Sequence, residues 1–447
     1  MEFFPKKRTT LKRNLKLYCK KFPAPAFMKI LLKKVLIADT ESAFNNSIQD
    51  ILIVDGKIQS IQNNITKQAD CIFDEENTIV SPAWVDCFAH FCDPGLEYKE
   101  TLETGANAAI AGGFTKVFVL PNTHPVVYTK SQVEYIVQKS KQLPIQIFPL
   151  GALTKNSEGK ELAEMYDMYE SGAIAFSDGV KPVQSPGLFL KALQYVKAFN
   201  GTVMQMPIDT TIGSNGLMNE GIISTQLGLP GIPTIAEEII IKRDIELLQY
   251  TQSKLHITGI STAKSVALIQ QAKAEGLSIS CSVTPYHLFF SDEVLQHYDT
   301  NLKTNPPLRT NEDVQALQQA VLNGTIDCIA THHFPQNADE KNCEFEYAKN
   351  GMIGLQTAFS VVNTAFPSIS TETLINLFSI NASTIFGLNK SIIKEGEEAN
   401  ITLFNRNATF IMSKDDNKSK SFNTPFTNKK LNGKVIGVIT KNNFYKN

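Results

Sequence analysis

The sequence predicts an α/β protein whose main domain is a (β/α)8 barrel, joined to a small β-sandwich domain built from both chain ends. Short apolar strands alternate with amphipathic helices across residues 81–389, and strand-like segments flank this region at 28–80 and 390–447. Polar side chains also gather where the predicted strands end. Eight strands over roughly 300 residues are typical of a closed barrel, whose reactive groups lie at the carboxyl ends of its strands.

Both chain ends have the composition of strands and turns. The first end contains ILLKKVLIAD, DILIVDGKIQSI and CIFDEENTIVSP, and the second contains EANITLFNRNATFIMS and KVIGVITKN. Asp55-Gly56 between two apolar runs is a strong signal for a two-residue hairpin loop. We expect these segments to meet in one domain, and we expect the polar segment 414–430 (KDDNKSKSFNTPFTNKK) to be a solvated loop.

Eight segments are the candidate barrel strands. They are SPAWVDCFAH, KVFVLP, IQIFPLGAL, AIAFSD, TVMQMP, LHITGI, SISCSV and DCIATH. Helical patterns such as SPGLFLKALQYVKAF and AKSVALIQQAKAEG lie between them, which favours parallel strands. The polar or special residues at their carboxyl ends are His90, Asn122, Asp178, Asp209, Gly259, Thr284 to His287 and His332 to Gln336.

Composition excludes several classes of protein. The net charge is −1, but residues 1–27 carry eight Lys or Arg and one Glu, so the rest of the chain is acidic and nucleic acid is not an expected partner. We interpret residues 1–27 as a disordered tail or an over-extended start. No apolar run is long enough for a membrane span. The seven cysteines are scattered, without Cys-x-x-Cys, which predicts neither a disulfide framework nor a zinc knuckle and favours a reducing cytoplasm.

The segment SPAWVDCFAHFCDPG (81–95) has the form of a metal-hydrolase strand with one ligand missing. A strand that ends in His-x-His can direct two imidazoles at one metal, because residues i and i+2 share a face. Here the pair is Phe88 and His90. Phe88 cannot bind a metal, so only part of such a site is present.

Several longer motifs resemble those of the dihydroorotases, of the long bacterial type, in the amidohydrolase superfamily. They are AGGFTKVFVLPNTHPVV, GALTKNSEGKELAEM, SGAIAFSDG, MNEGIISTQLGLPGIPTIAEE, VTPYHLFF, KTNPPLR and THHFPQNADEK. The resemblance extends over almost the whole chain from Met28. It implies a TIM-type barrel, the composite β domain, and hydrolysis or closure of the cyclic amide of dihydroorotate in pyrimidine biosynthesis.

That reaction needs a metal centre to activate water and a carboxylate to carry the proton. The resemblance implies metal-binding histidines at positions where this chain has Phe88, Met206 and Gly259. It also implies a general-base aspartate where the chain has His332. The paired carboxylates of the family's Ser-Asp-Asp-Gly are reduced to Asp178 alone.

Substrate contacts are retained unevenly. Asn122 and Asn305 match family positions that hydrogen-bond the substrate, whereas Cys92 replaces the arginine that binds its carboxylate and Gln336 replaces a histidine. Loss of that arginine removes a charge-assisted interaction of roughly 1.5–3 kcal/mol. We therefore expect weak binding of dihydroorotate.

Other polar residues are interpreted as structural. We expect His256 and His287 to form hydrogen bonds near strand ends, Asp86 and Asp93 to hold turns, and Arg309 to anchor its loop in an ion pair. Phe88 and Met206 are expected to fill the space of the missing metals.

The sequence leaves three functions open. The first is a non-catalytic homologue that binds no cofactor and assembles with aspartate carbamoyltransferase, itself forming a homo-oligomer. The second is an active cyclic-amide hydrolase with one zinc ion on His90, Asp178 and His332. The third is a sensor of pyrimidine intermediates that uses Asn122 and Asn305.

Overall fold

The structure, a computed structural model, describes residues 29–447. The predicted tail, residues 1–27, lies outside this part of the chain. The strands are β1 Lys29–Ile37, β2 Ile48–Val54, β3 Lys57–Gln62, β4 Cys71–Phe73, β5 Ile79–Pro82, β6 Trp84–Ala89, β7 Phe114–Val119, β8 Gln146–Gly151, β9 Ala175–Phe176, β10 Val203–Gln205, β11 Met218–Asn219, β12 Gly231–Ile232, β13 Leu255–Thr258, β14 Ile279–Val283, β15 Cys328–Ile329, β16 Ile401–Ile411, β17 Lys430–Thr440 and β18 Asn443–Lys446.

The α-helices lie mainly between the barrel strands. They are α1 Leu102–Ala111, α2 Lys130–Ser140, α3 Met165–Glu170, α4 Pro186–Lys197, α5 Ile222–Leu227, α6 Ile235–Thr251, α7 Ala263–Ala274, α8 Asn311–Leu322, α9 Ala338–Lys341, α10 Ala358–Ala365, α11 Thr371–Ile375 and α12 Asn381–Ile385. Within residues 29–447, no helix combines the length and the apolar character needed to cross a membrane.

The predicted barrel is confirmed. Its sheet has the order β15-β14-β13-β10-β9-β8-β7-β6, and each of the eight predicted segments overlaps one of these strands. All the neighbouring pairs are parallel. The first strand meets the segment that follows the last strand through a bridge between Ala89 and His333, where the His90 N–H donates to the His333 carbonyl at 2.8 Å. The barrel is therefore nearly closed.

The sequence of helix α4, which covers this sheet, accounts for where the helix begins and which face it buries. Ser185 caps its first turn by accepting from the Leu188 N–H, and Pro186 opens the helix, where no N–H partner is needed. Its buried residues recur at helical spacing and pack against the barrel: Phe189, Ala192, Leu193 and Val196.

The two chain ends form one mixed eight-stranded sheet in the order β18-β17-β16-β5-β1-β2-β3, with β4 beside β1. The Asp55-Gly56 hairpin is present between β2 and β3, where Val54 pairs with Lys57. β5 joins the two ends, because Val80 pairs with Leu403 in the antiparallel β16. The sheet has an apolar core of its own.

The expectation for residues 414–430 is wrong in part. Ser419, Ser421 and Asn423 are buried. The Asn423 amide donates to the Phe334 and Gly351 carbonyls at 3.0 and 3.1 Å, and Ser419 donates to the Glu100 carboxylate. This segment therefore packs beside the carboxyl end of the barrel, because its polar groups find partners there instead of water.

Candidate functional site

A cavity of about 280 Å³ opens at the carboxyl end of the barrel. Phe88, Met206, Asn305, His332 and Gln336, all singled out in the sequence, line it. Tyr286, Phe334, Lys349, Asn350, Gly351 and Val180 complete the wall. We call this the mouth cavity. It is where the chemistry of a barrel of this kind is expected.

Three of the altered positions pack against one another. The Phe88 ring lies 4.3 Å from the His332 ring, centroid to centroid, with 31° between the planes. Thr258 Oγ1 holds His332 Nε2 at 2.9 Å. A Cβ atom on Gly259 would lie 2.5 Å from His332 Cε1. The imidazole at 332 therefore occupies the space that a side chain at 259 would need.

His90 is buried with both ring nitrogens in use. Nδ1 accepts from the Cys92 N–H at 3.0 Å, and Nε2 donates to the Asn122 carbonyl at 3.0 Å. Burial lowers the pKa of His90 to about 4, so the ring is neutral. Neither nitrogen is free to bind a metal in this arrangement.

Asp178 is likewise satisfied by the protein. One carboxylate oxygen accepts from the Thr154 N–H at 2.9 Å, and the other accepts from the Thr154 hydroxyl. Burial raises the pKa of Asp178 to about 6. The carboxylate that would bind metal in the single-metal hypothesis therefore holds the loop after β8.

The predicted zinc ligands His90, Asp178 and His332 do not converge. Among residues 29–447, one group of three or more His, Cys, Asp or Glu residues has its ligand atoms within 4.8 Å of one another, and it consists of Cys87, His256 and Cys328. The two-metal centre implied by the sequence motifs does not fit the residues of the mouth cavity, because Phe88, Met206 and Gly259 offer no imidazole. The one-zinc alternative does not fit either, because the ligand atoms of His90, Asp178 and His332 already form hydrogen bonds with other groups of the protein.

The structure separates the two candidate substrate residues. Asn122 donates to the Asp178 carbonyl at 2.9 Å and accepts from the Val180 N–H at 3.0 Å, so its amide holds backbone. Asn305 lines the mouth cavity, and its buried Oδ1 accepts no hydrogen bond from the described residues. Of the two, Asn305 alone is placed to bind a ligand.

Cys92 and Gln336, which stand at positions where the resemblance implies substrate contacts, also have protein partners. Cys92 Sγ lies 2.9 Å from His90 Nδ1, and burial raises the pKa of this thiol. Gln336 accepts from Lys99 Nζ and donates to the Asn350 carbonyl, both at 2.8 Å. Asp209 accepts from the N–H groups of Thr211 and Ile212 in its own loop.

The residues expected to be structural all bind protein groups, but Asp86 and Asp93 bind distant segments and do not hold turns as expected. Asp86 accepts from both the N–H and the hydroxyl of Thr331 at 2.7 Å, which ties the first barrel strand to the last. His287 contacts Thr284 and the Pro307 carbonyl. Asp93 forms an ion pair with Lys139 at 2.7 Å. Arg309 lies 3.7 Å from the Glu237 carboxylate, both side chains being buried.

Sequence reasoning missed two features near the mouth cavity. One is the buried contact between His333 and Glu100 at 3.3 Å, for which the sequence carries no signal because the residues are far apart along the chain. The other is the group of Cys87, His256 and Cys328. Each of these residues belongs to a predicted barrel strand, but nothing in the sequence indicates that the three side chains meet.

The buried imidazole of His332 predicts a pH dependence. Burial lowers its pKa from 6.5 to about 3, so the unfolded chain takes up a proton below pH 6.5 that the folded chain refuses. Its contribution to stability is complete above pH 6.5 and is lost as the pH falls. Relative to His332→Asn, the free energy of unfolding of the wild-type chain should fall by about 2 kcal/mol between about pH 7.5 and pH 5.

Urea unfolding of both proteins at the two pH values checks this. Burial also lowers the pKa values of His90, His256 and His287, but these residues are present in both proteins, so their effects cancel in the comparison. Equal differences in unfolding free energy at the two pH values would show that His332 does not titrate in this way.

Comparison with known proteins agrees with this fold and these motifs. A family model described as "Dihydro-orotase-like" matches residues 77–265. A dihydroorotase of Acetivibrio thermocellus is 41% identical over 402 residues, covering 89% of this chain and 94% of that one. A dihydroorotase of Syntrophus aciditrophicus is 38% identical, covering 93% and 98%.

Among solved structures, an L-hydantoinase (dihydropyrimidinase) from Arthrobacter aurescens superposes with a TM-score of 0.82, covering 94% of this chain and 96% of that one. At 20% sequence identity, this likeness shows the fold. The identity to the dihydroorotases extends over nearly the whole length of both chains. The chain therefore belongs to the dihydroorotase family.

Proposed function

We propose that this chain is a non-catalytic member of the dihydroorotase family that acts as an assembly partner of aspartate carbamoyltransferase. The observation that carries the first part is the packing of the mouth cavity. Phe88 stacks on His332 where metal ligands would be needed, and the polar groups of His90 and Asp178 are bound to the protein.

Hydrolysis of a cyclic amide makes demands that these residues do not meet. Water must be activated and a proton must be carried from it to the leaving nitrogen. His332 stands at the position of the family's general base, but its Nε2 is held by Thr258. With a pKa of about 3 it is also a weak base near neutral pH.

The intact barrel and the exposed side chains on its outer helices support a role in binding another protein. The buried contacts that shape the barrel are intact, including Asp86 with Thr331 and Arg309 with Glu237. On the outer surface of the barrel, α6 exposes Ile235 and Ile239 one turn apart, at 43% and 44% of their full surface. Neighbouring exposed apolar side chains of this kind favour a protein interface. We place the partner contacts on the outer helices, within a symmetric oligomer.

The curated relatives are named dihydroorotases, which favours catalysis as the second candidate function. One experiment separates the two. The purified full chain, with zinc, cobalt or manganese added, is assayed for opening of the dihydroorotate ring beside the Acetivibrio thermocellus dihydroorotase. We expect a rate at least about 10⁴-fold lower than that of the relative, because both water activation and proton transfer are lost.

The same preparation tests assembly. Mixed with aspartate carbamoyltransferase of the same organism, it should elute as one complex by size exclusion with light scattering and raise the melting temperature of that enzyme. Turnover within tenfold of the relative would refute a non-catalytic role. Separate elution with an unchanged melting temperature would refute the assembly role.

A third candidate function is the sensing of a ligand. It is favoured by Asn305, which lines the mouth cavity and whose Oδ1 accepts no hydrogen bond from the described residues. Dihydroorotate or carbamoyl aspartate added to the same preparation would then raise its melting temperature without being converted. Comparison with Asn305→Ala identifies the site of binding.

A further inference from the structure

Three soft or borderline metal ligands meet inside the barrel, below the mouth cavity. Cys87 lies on β6, His256 on β13 and Cys328 on β15. Their ligand atoms all lie within 4.8 Å of one another, and the three side chains are completely buried. The two sulfur atoms are 4.0 Å apart.

This spacing is that of a zinc site before the ion is added. Zinc binds sulfur at about 2.3 Å and histidine nitrogen at about 2.0–2.1 Å, so two sulfur ligands of one tetrahedron lie about 3.8 Å apart. The observed separation of 4.0 Å requires only a small adjustment. Thiolate and imidazole together favour zinc over harder ions such as magnesium or calcium.

We propose that Cys87, Cys328 and His256 bind a zinc ion in the barrel interior, at a site separate from the mouth cavity. Two thiolates neutralise the double positive charge of the ion, so the complex is neutral. A neutral complex suits an interior lined by apolar side chains such as Val85, Phe118 and Phe386.

The surroundings of His256 provide the second shell that a zinc-binding histidine needs. Ser280 Oγ lies 2.8 Å from Nδ1, and Ser282 Oγ lies 3.0 Å from Nε2. Whichever nitrogen binds the ion, the other keeps a hydroxyl partner that fixes the ring. The hydroxyl beside the metal-binding nitrogen lies within 3.0 Å of it and is the candidate for the fourth ligand.

The site lies deeper in the barrel than the mouth cavity. Cys328 precedes His332 by four residues along the same chain segment, and His256 precedes Thr258 by two, whereas His332 lines the cavity. Ser282 donates to Thr258 at 2.9 Å, and Thr258 contacts His332 at the same distance. A chain of hydrogen bonds thus connects the two places, but they share no ligand.

The position of the site suggests a structural role. β6 and β15 are the first and last barrel strands, and Ala89 of β6 forms a bridge with His333, which lies just beyond β15. An ion held by Cys87 and Cys328 would link these two strands directly. Because the ligands are fully buried, the ion must enter while the chain folds, and its binding energy would add to folding stability.

Zinc analysis of the full chain, produced in zinc-supplemented medium or refolded with zinc, tests the site. We expect about one zinc ion per chain in the wild type and fewer than about 0.2 in Cys87→Ala and Cys328→Ala. Cys281→Ala is the matched control, since Cys281 is equally buried on β14 but belongs to the outer core. It should keep its zinc.

Two further measurements keep the test decisive if a cysteine variant fails to fold. X-ray absorption at the zinc edge of the wild type should show two sulfur neighbours at about 2.3 Å. Thiol titration in denaturant should find all seven cysteines reduced. A zinc-free wild type, a shell of oxygen and nitrogen only, or a Cys87–Cys328 disulfide would overturn the proposal.

A third variant, His90→Asn with Asp178→Asn, separates this inference from the proposed function. Zinc that survives in this variant and disappears in Cys87→Ala supports the interior site and leaves the non-catalytic proposal intact. Zinc that disappears here and survives in Cys87→Ala belongs to the mouth cavity, which would overturn the interior site. It would also count against a non-catalytic role.

Discussion

Replacing Gly259 by histidine, the residue that the family pattern has at this position, is expected to lower the free energy of unfolding by about 2–4 kcal/mol. Gly259 has φ +71°, a left-handed conformation that strains other residues, and a Cβ there would lie 2.5 Å from His332 Cε1. The His332 ring has little room to move, because Phe88 covers one face and Thr258 holds Nε2.

Matched variants divide this effect into its two causes. Gly387 has a similar φ of +66°, and a Cβ atom there would meet no other atom within 4 Å, so Gly387→His measures backbone strain alone, about 1 kcal/mol. The rest of the Gly259→His effect is assigned to the clash with His332. In a His332→Ala background most of this part should disappear, because the clashing ring is gone. Denaturant unfolding of the wild type, Gly259→His, His332→Ala and the double variant gives the coupling energy between the two positions.

If Gly259→His lowers the free energy of unfolding by the same amount with and without His332, positions 259 and 332 are independent and the inferred clash between them is absent. The expected coupling would mean that the altered positions have become mutually dependent. Restoring one metal ligand at a time would then destabilise the chain before any metal could bind. This makes recovery of the family chemistry by single substitutions difficult.

The barrel could be predicted from the sequence because each strand is a short apolar run between amphipathic helices. Even β9, which has two residues in the structure, lies within the predicted AIAFSD segment. Residues 414–430 were misinterpreted because local composition shows polarity and not burial. Ser419 and Asn423 are buried by partners far away in the chain, Glu100 and the backbone of Phe334.

The mouth cavity was predictable at the level of residue identity but not of contacts. The motifs placed Phe88, Met206 and Gly259 at ligand positions, and the cavity is lined by two of these three. They could not show that the retained His90 and Asp178 are bound to Asn122 and Thr154. Those contacts depend on loop conformation, which residue spacing alone does not determine.

The same limit applies to the interior site. Cys87, His256 and Cys328 are separated by more than 70 residues at each step, and no spacing rule for zinc sites describes them. Only the closure of the barrel brings β6 and β15 together. Even correctly located strands do not give the register that makes these side chains neighbours.

Arg309→Met is expected to cost about 3–5 kcal/mol of unfolding free energy, the other large effect. The guanidinium is 2% exposed and lies 3.7 Å from the Glu237 carboxylate. It also donates to Ser261 Oγ at 3.0 Å, and to Asn219 Oδ1 and the Ile232 carbonyl at 2.9 Å. Its removal leaves a buried carboxylate without a counter-charge.

Denaturant unfolding of Arg309→Met, with Lys446→Met as the control, measures this effect. Lys446 pairs with Glu75 at the surface, where about half of each side chain is exposed, so its loss should change stability by less than about 0.5 kcal/mol. Glu237→Gln in the Arg309→Met background should recover part of the loss, since an amide is less costly to bury than a lone carboxylate.

This network joins the loops around β11, β12 and β13 and has no group in the mouth cavity. A chain that works through its surface needs such buried contacts even when its cavity has lost its chemistry. We therefore expect Arg309→Met to weaken association with aspartate carbamoyltransferase at temperatures where it begins to unfold. Phe88→Leu, which changes a buried side chain at the cavity wall, should leave association unchanged at temperatures where that variant stays folded. The contrary result would be that the wild type and both variants associate equally well at temperatures where Arg309→Met unfolds. Association would then not depend on the folded barrel.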